Sequence, residues 1–175
     1  MSKVGYNGKK NYLTGNILSD EWYTPMNVVT FIKDIAPKDK TIICPFDTDA
    51  SNFVHVFPNS IHNIRDFMET EYDYDICITN PPFSNKFDIL ERIVSHKKDA
   101  ILVFPETAIF SVSFFKLIQK YKFCYKIYVP KTRIYFINQN GDQNRPNFHS
   151  IILYISSRFT ENTIEHVDLD GYGDV

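Results

Sequence analysis

The sequence predicts an α/β fold built on a mainly parallel sheet, and three observations lead to this prediction. Four short apolar runs rich in Ile, Val and Tyr occupy residues 40–45, 74–80, 100–105 and 123–130. Their length and composition are typical of strands buried on both faces. Apolar residues at helical spacing separate the runs, and each run ends at Pro or Asn-Pro. This alternation indicates βαβ units with right-handed crossovers, in a three-layer α/β/α arrangement.

Three helices are predicted between the strands from apolar residues that recur every three or four positions. The defining residues are Met26, Val29 and Ile32 in the first helix, Phe87, Leu90 and Ile93 in the second, and Phe114, Leu117 and Ile118 in the third. Small polar residues at the start of a helix can accept its free backbone N–H groups. Ser84 or Asn85 is expected to cap the second helix, and Ser111 or Ser113 the third.

Two further strands are expected near the carboxyl terminus, at residues 133–138 and 149–156, joined by a Gly-, Asn- and Asp-rich loop. They would add an antiparallel part to the sheet. We interpret residues 1–15 as a flexible arm and residues 157–175 as an acidic tail. The 175 residues then form a single domain, long enough to bury about 70% of the surface of the unfolded chain.

The chain contains no apolar segment of membrane-spanning length and no amino-terminal apolar leader, so we expect a cytoplasmic protein. Its three cysteines, Cys44, Cys77 and Cys124, lie in apolar segments without a CxxC spacing. The five histidines are scattered along the chain. The sequence therefore predicts no metal site.

Charge is unevenly distributed although the formal net charge is only −2. Residues 159–175 contain five acidic and no basic side chains, whereas residues 111–137 contain six basic and no acidic ones, interleaved with Phe and Tyr. Cations beside aromatic rings are a common way to contact phosphates and bases. A solvated helix face followed by an edge strand is the alternative interpretation of the same basic segment.

The tetrapeptide Asn80-Pro81-Pro82-Phe83, directly after an apolar run, is the most informative motif. An exocyclic amine of a base is a poor nucleophile because its lone pair is delocalised into the ring. The Asn80 side-chain oxygen and the Pro81 carbonyl are suited to accept its two N–H hydrogens and to aim the lone pair at a methyl donor. The two prolines fix the backbone that holds these acceptors, and Phe83 is placed to stack on the base.

Other polar or unusual residues also follow predicted strands, at 47–52 and 105–107. Ligands of open α/β sheets bind beyond the carboxyl ends of the strands. We therefore expect these segments and the Asn80 motif to line one crevice.

Taken in order, the motifs resemble those of N6-adenine DNA methyltransferases, of the small phage-encoded kind similar to the EcoRI methylase and Dam-like families. The resemblance covers roughly residues 20–156. It is carried by Asp20-Glu21-Trp22-Tyr23-Thr24-Pro25, by Cys44-Pro45-Phe46-Asp47-Thr48-Asp49-Ala50-Ser51-Asn52-Phe53, by Ile64-Arg65-Asp66-Phe67, by Asn80-Pro81-Pro82-Phe83, and by Arg133-Ile134-Tyr135-Phe136 with Arg145-Pro146-Asn147-Phe148.

This resemblance implies a Rossmann-like class I methyltransferase fold with an antiparallel carboxyl-terminal strand, and S-adenosylmethionine as the cofactor. The target adenine of double-stranded DNA would be flipped into the Asn-Pro-Pro-Phe pocket. The implied catalytic residues are Asn80, Pro81, Pro82 and Phe83. The implied cofactor contacts are Trp22, Tyr23, Thr24, Pro25, Pro45, Phe46, Asp47, Ser51, Asn52, Asp66, Phe67 and Asn80. The implied DNA contacts are Lys131, Arg133, Tyr135, Arg145 and Phe148.

Three features depart from the family pattern. Residues 45–50 lack the glycine-rich turn, and residues 54–65 lack the acid that usually binds the cofactor ribose, for which His62 or Asn63 would substitute. No separate target-recognition domain is present, which implies slight sequence specificity, a recognition subunit or a homodimer. Two alternatives remain: an RNA or protein-amide methyltransferase with the same motif, and a non-catalytic relative that binds nucleic acid or a partner.

Overall fold

The structure is a computed structural model that describes residues 22–138, 140–144 and 146–172. The helices are α1 (Met26–Ile35), α2 (Asn52–Val56), α3 (Lys86–Ser95), α4 (Glu106–Ile109) and α5 (Val112–Tyr121), with a 3-10 turn at Phe83–Asn85. The strands are β1 (Ile42–Ile43), β2 (Ile76–Thr79), β3 (Asp99–Pro105), β4 (Cys124–Pro130), β5 (Phe136–Ile137), β6 (Gln143–Asn144), β7 (Ser150–Ser156) and β8 (Thr163–Val167).

Six strands form one sheet in the order β1-β2-β3-β7-β4-β8. The pairs β1–β2, β2–β3 and β4–β8 are parallel, whereas β7 is antiparallel to both of its neighbours, β3 and β4. Five strands thus run in one direction and one in the other. This confirms the predicted mainly parallel sheet with an antiparallel strand near the carboxyl terminus.

The two faces of the sheet carry separate apolar cores. On one face, α1 and α2 bury Val29, Ile32 and Phe53 against β2 and β3 residues such as Ile78. On the other face, α3 and α5 bury residues including Leu90 and Phe114. Period-two alternation along each strand supplies both cores at once, which is why the strand sequences are apolar throughout. The three predicted helices and the three-layer arrangement are confirmed.

The structure corrects two expectations about the last third of the chain. Residues 133–138 do not join the main sheet: β5 pairs with β6 in a separate two-stranded sheet and forms a bridge with Tyr23. Residues 163–167, assigned to an acidic tail, form the edge strand β8 beside β4. An exposed edge strand need not be apolar, because only part of one face is covered. The charged sequence of β8 therefore gave no strand signal.

Crossover connections bring the carboxyl ends of β1, β2 and β3 to one edge of the sheet, which we call the carboxyl edge. Ser150 opens β7 opposite Pro105, so the start of β7 lies at this edge too. The helix caps agree with the sequence in one case: the Ser111 side chain accepts a hydrogen bond from Phe114 N at the start of α5. Asn85 occupies the cap position of α3, where its side chain makes no capping bond.

Within the described ranges, no helix is both long enough and apolar enough to cross a bilayer.

Candidate active site

Asp47 joins the ends of β1 and β2 at the carboxyl edge. Its carboxylate accepts hydrogen bonds from Ser51 Oγ at 2.6 Å and from Thr79 Oγ1 at 2.8 Å. Thr79 is fully buried and directly precedes Asn80, while Ser51 caps α2 through Phe53 N. One carboxylate therefore fixes the loop after β1, the start of α2 and the residue before the Asn-Pro-Pro-Phe motif.

The motif itself leaves β2 as a rigid turn. Pro81 is buried, Pro82 precedes the 3-10 turn, and the Pro82 carbonyl accepts a hydrogen bond from Asn85 N at 3.1 Å. Lys86 Nζ donates to the Phe83 carbonyl at 3.0 Å, which places a cation beside the motif. No pattern in the sequence singled out Lys86; its position three residues after Phe83, at the start of α3, is the only signal.

Four buried side-chain atoms of the described residues have no hydrogen-bond partner in the protein: Thr24 Oγ1, Asn80 Oδ1, Glu106 Oε2 and Ser150 Oγ. Three of them mark the carboxyl edge directly, since Asn80 follows β2, Glu106 follows β3 and Ser150 begins β7. A buried polar atom without a partner costs about 1–3 kcal/mol, and such atoms are rare in folded proteins. Their concentration at one edge is typical of a site that a ligand completes.

Aromatic residues from two distant segments meet at the motif. The rings of Phe83 and Phe148 lie 5.2 Å apart at an interplanar angle of 60°. The structure thus brings together the predicted catalytic aromatic and one of the predicted base-facing aromatics. Both rings are only partly buried, so each keeps a face or edge available for contact.

The predicted cofactor segments around Trp22 and Asn52 also meet. Asn52 Nδ2 donates to the Thr24 carbonyl at 2.9 Å, across 28 residues of sequence. Tyr23 and Ile137 exchange backbone hydrogen bonds of 2.6 and 3.0 Å, and Pro25 precedes α1. The Trp22–Pro25 segment is therefore held between α2 and the β5–β6 hairpin. Asp20 and Glu21, the start of the motif, lie outside the described residues.

Asp49 brings a carboxylate next to residues 54–65, a segment that contains no acidic side chain of its own. Ile61 forms a parallel bridge with Ile43, so His62 and Asn63 follow an outer strand position next to β1. Asp49 Oδ1 accepts a hydrogen bond from Asn63 Nδ2 at 2.9 Å and lies 3.4 Å from His62 Nε2. The Asp49 side chain is 83% exposed. Its loop brings the carboxylate to this position, which sequence spacing did not reveal.

The Asp66-Phe67 pair is engaged within the protein. The Asp66 carboxylate accepts hydrogen bonds from Thr70 Oγ1 and the Tyr72 hydroxyl, and the bond to Asp66 raises the pKa of Tyr72 to about 12. Phe67 is 2% exposed and packs edge-on against Phe46, with ring centroids 5.7 Å apart. Phe46 and Phe67 are therefore core residues, and their predicted contact with the cofactor stays a prediction.

The predicted DNA contacts are dispersed. Lys131 Nζ lies 2.9 Å from Asp168 Oδ2 and 3.8 Å from Asp170 Oδ2, so acids of the carboxyl-terminal segment neutralise it. Hydrogen bonding to Asp168 raises the Lys131 pKa. Arg133 is partly buried and Tyr135 is 37% exposed. Arg145 lies outside the described residues.

The cysteines near the site are not suited to nucleophilic chemistry. Burial raises the pKa of the Cys44 and Cys77 thiols well above the ordinary value, and the nearby Asp47 carboxylate adds to the effect. Both thiols therefore stay protonated, which makes them inert packing groups. In the part of the chain that the structure describes, no group of three or more His, Cys, Asp or Glu side chains is placed to hold a metal ion.

Comparison with known proteins gives structural likeness alone. No protein-family model and no curated protein sequence matches the chain. A mutant of DNMT2 from Spodoptera frugiperda is similar at 12% identity and a TM-score of 0.46, over 84% of this chain and 54% of that protein, so the chain spans about half its length.

Two further solved structures are similar over most of this chain. A putative RNA methyltransferase from Pyrococcus horikoshii shares 12% identity at a TM-score of 0.48, over 85% of this chain and 97% of that one. A dimethyladenosine transferase from Plasmodium falciparum shares 17% identity at a TM-score of 0.44, over 86% and 61%. At these values we take neither activity nor substrate from the likeness.

Proposed function

We propose that this chain transfers a methyl group from S-adenosylmethionine to the exocyclic N6 amine of adenine in DNA. The observation that carries the proposal is Asn80 Oδ1: a buried hydrogen-bond acceptor without a protein partner, directly after β2 at the carboxyl edge. An unpaired acceptor on a proline-fixed turn is complementary to an N–H donor. A flipped adenine brings two such donors on one nitrogen.

Chemistry at this site requires positioning rather than a strong base. Asn80 Oδ1 and the Pro81 carbonyl accept the two N6 hydrogens, which directs the nitrogen lone pair out of the ring plane. S-adenosylmethionine, when bound, would supply a methyl carbon on a positively charged sulfur, which would depart as a neutral thioether as N6 takes the methyl group. N6 then loses one proton to water. Phe83, supported edge-on by Phe148, stacks on the base.

The residues present fit the methyl donor on the β1 side of the crevice. S-adenosylmethionine supplies the activated methyl group and carries an ammonium and two ribose hydroxyls, all of them hydrogen-bond donors. Asp49, in the loop after β1, is the exposed acid beside His62 and Asn63 and would accept hydrogen bonds from the ribose hydroxyls. Thr24, whose hydroxyl has no partner among the described residues, would contact the methionine part.

The decisive experiment compares wild-type protein with Asn80→Ala. Each is given radiolabelled S-adenosylmethionine together with unmodified DNA, RNA or protein, and methylated DNA is sequenced. We expect labelling of DNA at adenine N6 by the wild type and its loss by Asn80→Ala, with the fold and cofactor binding largely intact by thermal melts and calorimetry. Asn59→Ala, at an exposed turn, is the matched control and should stay active.

Each other outcome has a defined meaning. Full transfer by Asn80→Ala would end the proposal. Labelling confined to RNA or protein would assign the same amine chemistry to another substrate class. Absence of cofactor binding by the wild type would identify a non-catalytic relative. Cofactor binding without transfer to any pool would point to a missing recognition subunit.

A further inference from the structure

The start of α5 exposes large apolar side chains to solvent. Phe110 is 82% exposed, Val112 68% and Phe115 58%, and the adjoining Lys116 is also exposed. We call these four residues the aromatic surface. Val112, Phe115 and Lys116 fall on one side of α5 at the spacing of a helical face, whereas Phe114 and Leu117 point to the core. Phe114 and Leu117 already form the core-facing side of the helix, so the aromatic surface is a second apolar side that faces solvent.

The turn that carries Phe110 is fixed rather than loose. Ser111 Oγ donates to the Ala108 carbonyl at 2.6 Å and accepts from Phe114 N at 3.2 Å, which ties the end of α4 to the start of α5. A bound conformation that exists in advance lowers the entropy lost on binding. Phe110 is thus held outward in a defined orientation.

The aromatic surface adjoins the candidate active site. α4 is a single helical turn that begins at Glu106, directly after β3, and Phe110 follows it. Because β4 runs in the same direction as β3, α5 must start at the carboxyl edge and return to the opposite edge. Phe110 and Val112 therefore stand at the carboxyl edge of the sheet, on the side of β3 and Glu106.

The exposed charge near Phe110 is positive, because Glu106 Oε2 is buried whereas Lys116 is exposed. Residues 107–141 contain no acidic side chain, and Lys116 stands beside Phe115 without a carboxylate within its own helix. Lys120, one turn further on, is paired with Glu91 at 2.9 Å, and Lys131 is paired with Asp168. Of these three lysines, Lys116 alone has no acidic partner among the described residues. It is therefore the best placed of the three to contact a phosphate.

We infer that the aromatic surface binds the nucleic-acid strand that flanks the target base. Phe110 and Phe115 offer two ring faces for unstacked bases, and Lys116 offers a cation for the phosphate between them, a combination that suits single-stranded or locally opened nucleic acid. The inference rests on the proposed function for the identity of the strand. It moves the expected nucleic-acid contact from the neutralised Lys131 to the start of α5.

The test measures binding of a fluorescein-labelled, adenine-containing oligonucleotide, as a single strand and as a duplex with an unpaired target base, by anisotropy without cofactor. Phe110→Ser combined with Phe115→Ser should weaken binding by about tenfold or more, since stacking on one aromatic contributes about 1–3 kcal/mol. Lys116→Gln should weaken binding by about threefold and reduce its salt dependence.

Two control variants separate this surface from a general loss of apolar or basic groups. Ile164 is 62% exposed on the edge strand β8, so Ile164→Ser removes an equally exposed apolar side chain elsewhere. Lys38→Gln removes an exposed lysine between α1 and β1. Both should leave affinity within about twofold. Both serine substitutions fall on exposed positions, and thermal melts of the double variant should match those of the wild type.

Unchanged affinity in the double variant, or no binding by the wild type, would overturn the inference. So would sedimentation showing that the wild type self-associates and the double variant does not while affinity is constant, because the surface would then be a protein interface. Failure of the proposed function looks different: the wild type would bind the oligonucleotide through the aromatic surface without transferring methyl groups. If the double variant transfers methyl groups with an unchanged KM for DNA, the proposed function stands and the inference about the aromatic surface fails.

Discussion

The two sides of the carboxyl edge differ in how their polar groups are satisfied. On the β1 side, Asp47 holds Ser51 and Thr79, Asn52 holds the Thr24 carbonyl, and Asp49 is hydrogen-bonded to Asn63. On the β3–β7 side, Glu106 Oε2 and Ser150 Oγ are buried without partners among the described residues, as is Asn80 Oδ1 between the two sides. Among the described residues, the polar groups of the first side are mostly paired within the protein, with Thr24 Oγ1 as the exception, whereas those of the second side are left for a ligand to complete under the proposed function.

The two sides should therefore contribute differently to the free energy of folding. A paired buried group contributes about 0.5–1.5 kcal/mol to folding, and more when one partner is charged, whereas an unpaired one costs about 1–3 kcal/mol. Unpaired groups that bind a substrate therefore lower the stability of the free protein and raise its affinity. Substitutions on the two sides should accordingly have opposite effects on stability.

Asp47→Ala should have the largest effect. It removes a carboxylate that accepts two hydroxyl hydrogen bonds and leaves the fully buried Thr79 hydroxyl unpaired. We expect the free energy of unfolding to fall by about 3 kcal/mol, together with cofactor affinity. Urea unfolding and calorimetry with S-adenosylmethionine measure both. A stability loss below about 1 kcal/mol would show that the β1 side is not held together by Asp47.

Thr79→Val should have an intermediate effect, because it keeps the shape of the side chain and removes only the hydroxyl that donates to Asp47. We expect a loss of about 1–2 kcal/mol in unfolding free energy and a lower kcat, since the orientation of Asn80 depends on the residue before it. Thr79→Ser retains the hydroxyl and is the matched control. If Ser and Val behave alike in kcat, the hydrogen bond does not position the motif.

Ser150→Ala tests the opposite side. Removing a buried hydroxyl without a partner should leave stability unchanged or raise it by up to about 1 kcal/mol, while methyl transfer becomes slower. Urea unfolding in the absence of cofactor, followed by transfer assays, checks the two parts. A clear loss of stability would mean that this hydroxyl is satisfied within the folded protein, and the contrast between the two sides would disappear.

Asp168→Asn should have the smallest effect, since its partner Lys131 is solvent-exposed. The hydrogen bond from Lys131 holds the Asp168 pKa below its ordinary value of 3.8. Its stabilisation is therefore present above pH 3.8 and is lost as the pH falls through the lowered value. Thermal melts should show a slight deficit of the variant at pH 7 that vanishes in strong acid. A deficit that persisted in acid would indicate a structural role for Asp168.

Periodicity and turn residues were sufficient to predict the fold class. Apolar runs, helical spacing and the proline-bounded strand ends are local signals, since each depends on side chains within a few residues. They located α1, α3 and α5, and they placed Asn80 at the end of a central strand. The sequence analysis did not predict β8, because the strand forms by pairing with the distant β4 and its own polar sequence has no strand pattern.

The sequence by itself determined the edge at which the Asn80 motif lies, because parallel strands with crossovers leave their carboxyl ends together. Only the tertiary structure decided which side chains met there. Asp49 reaches His62 and Asn63, Thr79 reaches Asp47, and Asp168 neutralises Lys131 through contacts 13 to 37 residues apart in sequence. Such contacts arise from chain folding in three dimensions, and no local pattern of residues encodes them.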